Sequence, residues 1–153
     1  DAFYGNYTFY DIGNNFRPTE INGVLGNQEV RYLPETTKKR NENFKCFAEA
    51  LYSQADIFIP VKYSHMDFVS NFAVPLICRS KKIHTEILAR CAGVVEIRPI
   101  VGGDMTTQPF FKKHVRSKYS LPNIKHIHFN GFYFGNNAEM TKKEIEFLIK
   151  IFS

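Results

Sequence analysis

The stretch YTFYDIGNNFRPTEINGVLGNQEVRYLPETTKKRNENF, residues 7–44, decides how this chain is read. It opens as a loop: Gly13, Asn14 and Asn15, with Gly5 and Asn6 just upstream, are turn formers. Phe3, Tyr4, Tyr7, Phe9 and Tyr10 make residues 1–17 too aromatic for a free tail, so this segment is expected to pack on another domain or another subunit. Pro18 suits the first turn of a helix, with Glu20 beside the positive end of its dipole. Ile21, Val24 and Leu25 then recur at helical spacing. Gly23 and Gly26 weaken that helix while permitting close approach of another backbone. Pro34 starts a second helix, expected to reach about Ser53, with Phe44, Phe47, Ala48 and Leu51 as its apolar face.

Working outward, Ile57–Val61 makes a short strand and Phe72–Cys78 a better one, in which Pro75 predicts an edge or a bulge. Residues 81–92 read as a helix, with Ile83, Ile87, Leu88 and Cys91 on one face and Gly93 as its stop. Val94–Val101 alternates as a strand bounded by Gly102-Gly103, and Pro109 to about Lys118 is a short helix. Ile127–Phe134 reads as a strand broken by Gly131. Thr141 and Glu144 form a capping box, each side chain satisfying an otherwise unpaired backbone N–H. Ile145, Leu148, Ile149 and Phe152 follow on one face of the last helix. The expected fold is α/β: a small antiparallel or mixed sheet with helices packed on one face.

At 153 residues the chain makes one domain, able to bury about 68–70% of the surface of its unfolded form. Hydrophobic residues are 44% and charged residues 23%, an ordinary globular balance. No apolar run approaches the roughly 18 residues of a membrane span, and no secretory leader is visible. The net charge of +5 reads as a mildly basic surface, or as attraction for an anionic substrate such as a diphosphate. Nucleic-acid binding would need a basic stripe with stacking aromatics, which is missing. Cys46, Cys78 and Cys91 show no metal or disulfide spacing and sit in apolar contexts, so buried reduced thiols and a cytoplasmic setting are expected.

Three blocks carry a resemblance. The first is the 7–44 stretch; the second is EIRPIVGGDMTTQPFF at 96–111; the third is LPNIKHIHFNGFYFGNNAEMTKKEIEFL at 121–148. In order and spacing they resemble the DegT-type sugar aminotransferases, pyridoxal-phosphate enzymes of fold type I that act on nucleotide-linked keto-sugars. The chain resembles the C-terminal portion of such an enzyme. The resemblance therefore implies an aromatic active-site and dimer loop at 1–17 and a C-terminal α/β domain at 18–153. It places the cofactor domain, with its Schiff-base lysine, upstream of residue 7.

The resemblance implies pyridoxal 5'-phosphate, or its pyridoxamine form, as cofactor of the complete enzyme. It implies a nucleotide-linked keto-sugar and glutamate as substrates, in deoxy- or amino-sugar synthesis for surface polysaccharide. A dehydratase branch with histidine in place of the lysine removes a sugar hydroxyl instead, and the 96–111 block resembles that branch somewhat more. The fragment alone is expected to lack transaminase activity. The alternative is a non-catalytic truncated relative that serves as a binding or dimerisation module.

Within this frame Asn15 is the cofactor-binding candidate: an asparagine in the family's Gly-x-Asn-x-x-x-Thr loop reaches the neighbouring subunit and hydrogen-bonds the cofactor phosphate, which implies a homodimer. By itself it is a turn asparagine. Arg98 is the first substrate-binding candidate, bordering the sugar site in the family; on its own it is equally a surface arginine in an ion pair. Gln108, before Pro109, is the second, with a pocket-shaping role. Asp104 stands where an asparagine is expected, which argues against a substrate contact there. His126 and His128 alternate on the supposed strand and so share a face, but with no third ligand near they are read as strand-surface residues and not as a metal site. Lys38, Lys39, Lys112 and Lys113 lie in polar runs, and no catalytic residue is assigned in this chain.

Overall fold

The computed structural model describes residues 2–5, 7–13, 17–100 and 103–153. After a single turn, α1 (Ala2–Gly5), the chain runs through a loop to α2 (Glu20–Glu29), then directly through a 3-10 turn at Val30–Tyr32 into α3 (Leu33–Tyr52). Next come β1 (Ala73–Ile77), α4 (Lys81–Cys91), β2 (Ile97–Pro99), α5 (Pro109–His114), α6 (Pro122–Asn130), β3 (Gly131–Gly135) and α7 (Lys142–Phe152). The strands form one antiparallel sheet in the order β1-β3-β2.

Register explains why, among the described residues, helices cover one sheet face. Val74, Phe134 and Ile97 lie opposite one another, as do Leu76, Phe132 and Pro99. Strand residues alternate between faces, so these six point the same way. Phe47 and Leu51 of α3, Ile87 and Cys91 of α4, and Leu148 and Phe152 of α7 close over them. The aromatic centre is tight: Phe134 meets Phe47 edge-on at 4.9 Å and Phe152 at 4.6 Å. Each fully buried side chain of this size contributes about 1.5–3 kcal/mol. Pro75, Tyr133 and Arg98 share the next register and point to the opposite, uncovered face.

Several expectations hold. The apolar face of α3 is the one read from its spacing, with Phe44, Phe47, Ala48 and Leu51 all buried. Pro75 sits on an edge strand, where a missing N–H is harmless, and its carbonyl accepts the Tyr52 hydroxyl at 2.8 Å. The capping box of α7 is formed, with Thr141 N–H donating to Glu144 at 2.7 Å.

Others are corrected. The expected strand at Ile57–Val61 is a single bridge between Phe58 and Cys78, because Pro60 has no N–H to continue the ladder. The strand at Val94–Val101 shrinks to β2, since the amides of Val94 and Val95 both donate to the Cys91 carbonyl at 2.9 Å in the turn after α4. The short helix from Pro109 stops at His114 instead of Lys118, with Val115 extended.

The largest correction concerns Ile127–Phe134. Pro122 starts a helix that runs through His126–Phe129 to Asn130, and only from Gly131 is the chain a strand. The alternation of histidine with apolar residues imitated a strand. Gly131 makes the change of element possible: a Cβ there would stand 2.5 Å from the Ile127 carbonyl oxygen.

Candidate functional site

The uncovered sheet face carries a row of polar tips. Arg98, at the centre of β2, lies opposite Tyr133 of β3. Its Nε donates to Glu96 Oε1 at 2.8 Å, and this hydrogen bond and charge hold the guanidinium even more firmly protonated than usual. Tyr133 lies close enough to both Arg98 and Tyr7 for each to act on its phenol. Its phenol is pushed above the ordinary tyrosine value by burial first and by Tyr7 next, against the opposing pull of Arg98. Tyr7, Tyr133, Arg98 and Glu96 thus lie in one row of neighbouring polar tips, of which Arg98 and Glu96 are hydrogen-bonded. The Arg98 side chain is about half exposed, so it meets Glu96 while still facing solvent. Such a line can bind and orient a polar anionic group; in water-exposed surroundings the Arg98–Glu96 pair itself adds little stability.

Gln108 takes a different part. It is buried, and its side chain spans the aromatic N-terminal strip: Nε2 donates to the Tyr7 carbonyl and Oε1 accepts from the Phe9 amide, each at 3.0 Å. The Phe110 amide donates to the Phe9 carbonyl at 3.1 Å, and Lys113 Nζ reaches Asp11 Oδ2 at 2.6 Å. His114 Nε2 adds a contact to Asp11 at 3.3 Å. Asp11 is therefore held well below the usual carboxylate range, mainly by the Lys113 hydrogen bond. The strip is thus laced along α5 from residue 7 to residue 11.

A cleft of about 600 Å³ lies beside this lacing, with Tyr4, Lys81, His84, Gly103, Gln108 and His128 among its walls. Asp104 is fully buried below it, where one carboxylate oxygen accepts from the Thr106 amide at 3.0 Å. That cap gives the acid a structural part in the turn before Pro109. The Asp104 amide donates to His128 Nδ1 at 3.2 Å, and Tyr4 stacks on the same imidazole at 4.9 Å. Burial lowers the His128 pKa, partly offset by Asp104; His84 is lowered too, by burial and then by Lys81. Gly103 has φ 54°, and a Cβ there would lie 2.0 Å from His128 Nδ1, so this turn is closed to any other residue.

Of the candidates from sequence, Arg98 lies on the open face and Gln108 under the N-terminal strip; Tyr7, bonded to Gln108 by its backbone and with its phenol near Tyr133, lies between them. Asn15 lies outside the described residues. His126 and His128, two apart on a helix, do not share a face. His126 Nε2 donates to the Cys78 carbonyl at 3.1 Å, and no cluster of metal-ligating side chains occurs among the described residues. Cys78 and Cys91 are buried as expected, with the Cys78 thiol pushed up to about 12 by burial, whereas Cys46 is exposed on the outer side of α3. Every lysine of the chain is exposed. Tyr7 and Tyr133 were missed as site residues. The one signal for Tyr133 was its place between Phe132 and Phe134, which turns its hydroxyl away from the core; its register with Arg98 is a tertiary fact.

The fold is that of part of a fold type I pyridoxal-phosphate enzyme. The chain superimposes on the Escherichia coli GDP-4-keto-6-deoxy-D-mannose-3-dehydratase with bound hydrated PLP with a TM-score of 0.76 at 21% identity, covering 100% of this chain and 40% of that one. It also superimposes on a Helicobacter pylori aminotransferase involved in the biosynthesis of pseudoaminic acid, with a TM-score of 0.72 at 15% identity, covering 98% of this chain and 43% of that one. In sequence it is 26% identical over 157 residues to the GDP-4-keto-6-deoxy-D-mannose 3-dehydratase of Yersinia pseudotuberculosis, covering 99% of this chain and 39% of that protein. Residues 1–153 match the DegT/DnrJ/EryC1/StrS aminotransferase family, and the chain belongs to it. It spans about two fifths of the length of these relatives.

Proposed function

We propose that this chain forms the C-terminal α/β domain of a pyridoxal-phosphate-dependent enzyme that modifies a nucleotide-linked keto-sugar, by 3-dehydration or by amino transfer with glutamate as donor. The observation that carries the reading is the family match over the whole chain together with the row Tyr7, Tyr133, Arg98 and Glu96 on the sheet face that no helix among the described residues covers. In this reading Arg98 receives an anionic group of the sugar nucleotide, and the two phenols orient it. The 3-dehydratases among the relatives favour a GDP-4-keto-6-deoxy sugar over other nucleotide sugars.

The residues suit a supporting share of the cofactor site. Pyridoxal phosphate, when bound, supplies the electron sink for chemistry beside the sugar carbonyl. In an aminotransferase its covalent anchor would be a desolvated lysine, and every lysine here is exposed. The group this chain would offer is the amide of Asn15, toward the phosphate of a neighbouring subunit, which makes the working form a homodimer. Buried, unpaired Cys78 and Cys91 and the absence, among the described residues, of any helix long and apolar enough to cross a membrane are compatible with a cytoplasmic enzyme serving polysaccharide synthesis.

The test is an assay of the longest natural polypeptide containing this sequence. It would be supplied with pyridoxal phosphate, glutamate and GDP-4-keto-6-deoxy-mannose. Loss of the C3 hydroxyl indicates dehydration, and an amino-sugar product indicates transfer. No cofactor absorbance and neither product would contradict the reading. The Arg98→Ala variant is expected to raise KM for the nucleotide sugar by about tenfold or more, as for loss of one charge-assisted contact.

A further inference from the structure

We propose that Gln108 is a positioning residue: it binds no substrate but holds the N-terminal strip on α5 so that Tyr7 stays against Tyr133 and Arg98. The inference rests on the reading of that line as a substrate-binding wall. Three features support it. The amide is buried, and although it borders the cleft, both its polar ends engage backbone of the strip, at Tyr7 and at Phe9. The two bonds flank Thr8 and clamp the strip beside Tyr7, whose phenol is near enough to act on Tyr133 and Arg98. The clamp is also continued outward by Phe110 on the Phe9 carbonyl and by Lys113 on Asp11, so α5 serves as a rail for residues 7–11.

Chemistry explains why the residue is an amide. A buried donor and a buried acceptor are needed side by side, one for a carbonyl and one for an N–H. Glutamine supplies both without charge. Leucine would fill the space but leave both backbone groups without their partner, and a carboxylate would keep only the acceptor.

The two halves can be separated experimentally on the chain itself. Hydrogen exchange of the Phe9 amide reads the acceptor half. The titration midpoint of Tyr133, followed by NMR on tyrosine labelled at Cζ and assigned with Tyr133→Phe, reads whether Tyr7 is still in place. Gln108→Leu is expected to speed Phe9 exchange about tenfold and to bring the raised Tyr133 midpoint down toward the ordinary tyrosine value. Gln108→Glu, ionised where Tyr133 titrates, is expected to keep slow Phe9 exchange while lowering the Tyr133 midpoint, as Tyr7→Phe should. If Gln108→Leu fails to fold, Gln108→Glu and Tyr7→Phe carry the test. Wild-type values of both readouts in Gln108→Glu would overturn the proposal. Loss of both in that variant would do so too, because the residue would then act through general packing. Neither readout involves cofactor or substrate, so this proposal and the functional reading can fail separately.

Discussion

The continuous helical run from Glu20 to Tyr52 contains two regions with the same sequence signature and opposite fates. In α3, Phe44, Phe47, Ala48 and Leu51 recur at helical spacing and are buried against the sheet and α7. In α2, Ile21, Val24 and Leu25 recur just as regularly and are 71, 63 and 59% exposed. Periodicity states that a face is apolar; it does not state what covers it. The α3 face has a partner within this chain, and the α2 face has none among the described residues. That contrast matches a domain spanning two fifths of its relatives' length.

The sharpest way to break the comparison is to cut one apolar side chain from the core that covers α3 and another from α2. Phe134→Ala, in the aromatic cluster with Phe47 and Phe152, is expected to cost about 3–5 kcal/mol in urea unfolding, enough to unfold much of the protein. Gly131→Ala is next: a Cβ 2.5 Å from a backbone oxygen should cost about 1–3 kcal/mol, measured the same way. Thr141→Ala removes the α7 cap and should cost about 1 kcal/mol. Leu25→Ser should stay within about 0.5 kcal/mol of wild type, because its side chain is already in water. A loss near that of Phe134→Ala would mean that α2 is buried in solution after all.

A smaller effect concerns pH. The folded-state pKa of His84 is depressed by burial, so the unfolded chain takes up its proton first as pH falls. Stability should therefore decline as pH drops below about 6.5, the ordinary histidine value, until the folded pKa is reached. His84→Gln should flatten the decline, seen as a urea midpoint that changes less between pH 7 and pH 5. An unchanged slope would remove His84 from this account.

How much was legible from sequence follows from the same contrast. The covered helices and the capping box of α7 were readable because spacing and local hydrogen bonding determine them. The helical state of His126–Phe129 was not, because a short apolar–polar alternation fits either period and the deciding features, Pro122 before and the close approach at Gly131 after, lie outside it. At the site, Arg98 and Gln108 were visible as chemistry-bearing residues. Their roles were not, since these depend on which backbone lies beneath Gln108 and which tyrosine stands opposite Arg98. Both are facts of register and of a contact one hundred residues apart in sequence, between Gln108 and the strip.

The most direct test of the central claim, that this chain buries α3 by itself but leaves α2 to be covered by other polypeptide, is amide hydrogen exchange along residues 20–52 in its monomeric fraction. The account predicts that Gly23–Glu29 exchange faster than Phe44–Tyr52 by about two orders of magnitude or more, although both are helical. Equal protection of the two segments in the monomer would contradict it.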